Sequence, residues 1–135
     1  MDISNFKTDL TREDQGVWLE IGDGFAVRVC RLGCKAHAEL YRSLTSPPGI
    51  RAAIESNAYP PAKHVEMQVE LLAQTILKDW RGMTDKGQPV PYSLEKAKEV
   101  LQLKDFRGLI HSLADQQSNF RADEIASAKD ALKKS

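Results

Sequence analysis

The chain has 135 residues, 41% of them hydrophobic and 28% charged, and its 19 Lys plus Arg balance 19 Asp plus Glu. One domain of ordinary globular composition is expected, large enough to bury a core without disulfide staples. Zero net charge argues against a protein that neutralises many phosphates, and 7% aromatic content leaves few stacking platforms for single-stranded nucleic acid.

Residues 1–15 are polar and without a clear period, so they read as a flexible leader, with a ragged helical turn from Leu10 through Gln15 as the alternative. The first residues, Met1 to Lys7, carry neither a basic nor an apolar targeting region, and no window approaches the ~20 apolar residues of a membrane span. A cytosolic protein is therefore expected. Val17-Trp18-Leu19-Glu20-Ile21 and Phe25-Ala26-Val27-Arg28-Val29 flank Gly22-Asp23-Gly24. β-formers around a glycine-rich loop predict a hairpin with a three-residue connection. Val17, Leu19 and Ile21 would share one face, as would Phe25, Val27 and Val29. Two strands alone are marginal in water, so the hairpin must lie on helices or extend a sheet.

From Lys35 the period changes. His37, Leu40, Tyr41 and Leu44 make a helical stripe, and Pro47-Pro48-Gly49 ends it. A short helix through Ile50, Ala53 and Ile54 follows. The longest helix is predicted from about Ala62 to about Trp80, with Val65, Val69, Leu72, Ala73, Ile76, Leu77 and Trp80 as its core stripe. Met67 and Leu71 fall on nearly the opposite side. They are either scattered surface apolar residues or a second contact face for a partner, and charging both is expected to leave folding intact. Gly82 and Gly87 flank a polar turn carrying Asp85 and Lys86, and Pro89 and Pro91 force extended backbone. Ser93 is a good N-cap for a helix from Leu94, and another helix is expected from about Lys104 to Ser118. Residues 122–135 read as a frayed helix or tail. The expected fold is mainly α with a small N-terminal β-hairpin (α+β): a compact bundle of about five helices, with residues 16–121 as the single globular domain.

Catalysis needs converging groups that move protons or attack bonds. The chain has no nucleophile elbow, no phosphate loop and no zinc-protease or calcium-loop motif. Cys30 and Cys34 lack a second ligand pair, and with His37 they make only a loose cluster, so free thiols are expected and no metal or other cofactor. His37 lies on an apolar stripe, His64 opens the long helix, and His111 can pair with Asp115 four residues on. Asp85 reads as a turn former rather than a general base. Trp80 reads as a core residue closing the helix onto the loop, or as an interface anchor. A binding protein is expected, not an enzyme.

Three segments carry a resemblance. They are Gly16-Val17-Trp18-Leu19-Glu20-Ile21-Gly22-Asp23-Gly24 through Leu44; Asp79-Trp80-Arg81-Gly82-Met83-Thr84-Asp85 with Gly87, Pro89 and Pro91-Tyr92-Ser93; and Phe106-Arg107-Gly108 through Gln117-Ser118-Asn119-Phe120-Arg121. In their order and spacing the chain resembles the tail assembly chaperones of long-tailed bacteriophages. The resemblance implies a non-enzymatic protein of the host cytoplasm that binds the tape measure protein, keeps it soluble, and leaves as tail tube subunits polymerise around it. It also implies self-association into rings or spirals, a longer frameshifted form that recruits tail tube protein, and absence from the mature virion. Neither nucleic acid nor membrane is an expected partner. Met67, Leu71, Trp80, Asp85 and Tyr92 are the candidate contact residues. A minor tail or head–tail connector protein is the alternative.

Overall fold

The computed structural model describes residues 1–121; the predicted tail, 122–135, lies outside them. Among the described residues the order is α1 (Leu10–Gln15), β1 (Val17–Gly22), β2 (Phe25–Val29), α2 (Lys35–Leu44), α3 (Ile50–Glu55), α4 (Pro61–Leu71), β3 (Leu77–Arg81), β4 (Thr84–Asp85), β5 (Gln88–Pro89), α5 (Leu94–Val100) and α6 (Lys104–Asp115). A π-helical turn, Leu72–Ile76, joins α4 to β3. Six α-helices accompany a three-stranded sheet, ordered β1-β2-β3, and a two-stranded sheet of β4 and β5. This overturns the expectation of a mainly helical bundle with one N-terminal hairpin, because strands recur in the middle of the chain. No helix among the described residues is long and apolar enough to cross a membrane.

The hairpin connection is tighter than expected. Gly22 pairs with Phe25, leaving only Asp23 and Gly24 in the turn, both at positive φ. That is the type I′ geometry whose twist matches the flanking strands. Lys86 and Gly87 repeat it between β4 and β5. In β1 the register shifts between Glu20 and Gly22, so Ile21 is a bulge and stands exposed, whereas Val17 and Leu19 join the core.

β3 is where the structure departs most from the periodicity. It pairs antiparallel with β2, Val27 opposite Trp80 and Val29 opposite Leu77, with the register shifting between Arg28 and Val29. Lys78 is the extra residue. Upstream, the Thr75 hydroxyl donates to the Leu71 carbonyl, a bond that competes with regular helix geometry. The predicted long helix therefore stops at Leu71, unwinds through one wide turn, and continues as strand.

Helices cover one face of the sheet. Val27, Val29, Leu77 and Trp80 pack against Val69, Leu72 and Ile76, with Ala97 and Leu101 of the α5 region and Ile110 and Ala114 of α6 closing the core. On the other face the Arg81 guanidinium sits 4.7 Å from the Trp18 ring centroid and pairs with Glu20.

Residues 1–15, expected to be a leader, hold a 3-10 turn (Ile3–Phe6) and α1. The Asp9 N–H donates to the Phe120 carbonyl and the Arg31 N–H to that of Glu13. The buried Glu13 carboxylate accepts from Thr8 Oγ1 and from the Arg31 guanidinium. Arg31→Ala leaves that carboxylate with Thr8 alone. A loss of about 1–2 kcal/mol is expected, since both side chains keep some exposure. Urea unfolding of a double-mutant cycle with Glu13→Ala checks it; additive losses would mean that the pair contributes nothing.

Candidate functional site

The five candidate contact residues fall into three places. Trp80 and Tyr92 lock the connector. The Trp80 indole N–H donates to the Val90 carbonyl at 2.7 Å, the Tyr92 hydroxyl donates to the Leu77 carbonyl at 3.3 Å, and the two rings meet edge to face at 5.0 Å. Trp80 is only 5% exposed, so it is a core residue. Tyr92 is half-buried; burial, then the neighbouring Asp79 carboxylate, raises its hydroxyl pKa against a smaller opposing effect of Arg28. Ser93 Oγ accepts from the Lys96 N–H and starts α5 as the sequence predicts.

Asp85 is exposed at the second type I′ turn. It lines a hollow of about 320 Å³ with Met83, Val100 and Leu103, where Lys96 and Glu99 sit close by. Leu103 is 62% exposed there.

Met67 and Leu71 stand together in a groove of about 380 Å³ between α2, α4 and α6. Leu32 and Leu72 complete its apolar floor, and Gln68 and Tyr41 supply polar groups. Met67 is half-buried, but Leu71 is only 7% exposed and faces the groove from the core side. The expectation that charging both would spare the fold is therefore restricted to Met67: a charge at position 71 would be buried.

All three histidines of the chain line this groove: His37 from α2, His64 from α4 and His111 from α6. Along the sequence each has only a local meaning. Part of the convergence is visible there, since His64, Met67, Gln68 and Leu71 share helical spacing, as do His37 and Tyr41. The fold supplies the rest by bringing three helices together. His37 Nδ1 accepts the Gly33 N–H at 3.2 Å, reaching back over the first turn of α2. Burial, then the nearby His111, lowers its pKa. The Tyr59 ring meets His64 edge to face at 4.8 Å. The expected His111–Asp115 contact is not among the ion pairs of the described residues. No group of three His, Cys, Asp or Glu among those residues is placed to hold a metal ion. Cys30 and Cys34 are buried free thiols. Burial, then the neighbouring Cys34, pushes Cys30 up to about 11, and its thiol donates to the Asp14 carbonyl. Such a thiol is a poor nucleophile.

No curated protein and no solved structure matches the chain. A family model described as YdaY prophage protein matches residues 36–134, a span that contains the three histidines, Met67, Leu71 and the whole connector. The chain belongs to this prophage protein family and is a phage-related protein.

Proposed function

We propose that this protein is a tail assembly chaperone that binds the tape measure protein and acts without covalent chemistry. The observation that carries the reading is the groove holding Met67 and Leu71, in a chain of a prophage family. An amphipathic helix docks by laying apolar side chains into such a groove, and methionine adapts to varied partner shapes. Many weak contacts along one long helical client give avidity without a tight single site. Each protomer then holds a short stretch of client, and protomers associate into rings or spirals along it. A longer frameshifted form recruits tail tube protein, and the chaperone leaves in the host cytoplasm before the virion is complete.

Co-expression with the phage's tape measure protein is expected to raise that client's soluble yield. Met67→Glu should keep the wild-type melting temperature within a few degrees, because the side chain is half-buried, and should abolish the gain in yield. An unchanged soluble yield with the wild-type chain refutes the chaperone reading. Recovery of the protein from purified virions by mass spectrometry would favour a minor tail or connector protein instead.

A further inference from the structure

Among the described residues, nothing lining the groove carries a fixed charge. Its titratable groups are the imidazoles of His37, His64 and His111 and the phenol of Tyr41. No carboxylate pairs with any of the three imidazoles among the described residues. Neutral imidazoles leave the floor of Leu32, Met67, Leu71 and Leu72 fit for apolar side chains. A protonated His37 places a charge beside that floor with no lining carboxylate to balance it.

His37 has a second role. Cys34 precedes α2 as its N-cap and gives no side-chain cap, while His37, three residues on, accepts from the Gly33 N–H. The bond lands one residue before the cap, tying the turn that leads into α2 to the helix's own first turn, while the Cys34 N–H goes to the Arg31 carbonyl. An Nδ1 that accepts a hydrogen bond bears no proton, so the neutral ring carries its proton on Nε2. Protonation places a hydrogen on Nδ1 and ends the bond to Gly33.

We propose that this groove is proton-gated: protonation of His37 releases the Gly33 N–H and sets a charge beside the apolar floor, closing the groove to apolar side chains. Of the titratable groups that line the groove with His37, His111 comes from α6, His64 from α4 and Tyr41 from its own helix, and His111 is the one that acts on His37. The direction follows from linkage. An apolar occupant desolvates the half-buried His37 further and opposes its protonation, so protonation weakens the occupant equally. The limit is about tenfold weaker binding per pH unit for each imidazole that must shed a proton. As a statement about client release, the gate rests on the function proposed above; as a property of the chain, it is tested without client.

The test is an NMR titration of the full chain, labelled with nitrogen-15 and methionine methyl carbon-13, from about pH 8 to about pH 5. His37 is expected to titrate below a free histidine, with the Gly33 amide and the Met67 methyl moving at its midpoint. His111→Gln should raise that midpoint. His37→Gln keeps an acceptor for Gly33 that needs no proton, so its Gly33 amide should stay still. A Gly33 amide that does not move with His37, or one that still moves in His37→Gln, overturns the gate. A parallel arm measures tape measure protein retained on the immobilised chain at both ends of the range. No retention at the alkaline end counts against the function above, while the gate still stands or falls on the NMR titration alone. Equal retention at both ends, with the NMR response present, refutes control of the client.

Discussion

Trp80→Ala should cost about 3–5 kcal/mol of unfolding free energy, a large share of what a domain of this size possesses. The indole lies opposite Val27 in the sheet, packs into the helical core, stacks edge-on against Tyr92 and donates to the Val90 carbonyl. Alanine removes the ring and also leaves the Val90 carbonyl without that donor. Trp80→Phe separates the two effects, since it keeps an aromatic ring and loses the donor; about 1–2 kcal/mol is expected from it. Urea unfolding followed by circular dichroism measures both. A loss under about 1 kcal/mol for the alanine variant would move Trp80 from the core to a contact role.

Gly82→Ala should cost about 2–4 kcal/mol, although it adds one methyl group at an exposed position. Gly82 adopts a φ of +76°, which L-residues rarely take. A Cβ there would run into the carbonyl of Gly24 and the Cα of Phe25, both backbone, so no flexible side chain can yield. The two hairpins touch at this point, and the methyl group would push the connector off the β1–β2 turn. Gly87→Ala is the control. Its φ is similarly positive, at +81°, but a Cβ there meets nothing within 4 Å, so only backbone strain of about 1–2 kcal/mol should remain. Equal losses at the two positions would show that the close approach at Gly24 carries no weight.

Elements whose signals are local lie where the sequence puts them. The hairpin strands, the stripe of α2, the Ser93 cap and the start of α6 at Lys104 all depend on residues close together in the chain. β3 is hidden for a particular reason. The Lys78 bulge places Leu77 and Trp80 three residues apart on one face, although a regular strand alternates every two. That spacing imitates a helix, and the apolar Leu72, Ala73 and Ile76 just upstream do form a helical turn, so the imitation extends the stripe without a break. The only local mark is Thr75, whose side chain loosens the helix without specifying a strand; the partner that converts the segment to strand is β2, distant in sequence. The candidate contacts divide in the same way. The pairing of Met67 with Leu71 follows from helix spacing, but the groove and its histidines require α2, α4 and α6 to meet, and the core placement of Trp80 requires the sheet.

The pairing of β3 with β2 also governs the order in which the chain assembles. β1 and β2 can close on themselves through a two-residue turn, whereas β3 reaches its place only after α2, α3 and α4 have looped round to deliver it. That closure has to be completed before its contacts reward it, so it is slower than closure of the hairpin. Until it happens, the free edge of β2 and the side chains of Leu77 and Trp80 are open to neighbours, and the interval before sheet closure is when the newly made chain is most prone to misassociation.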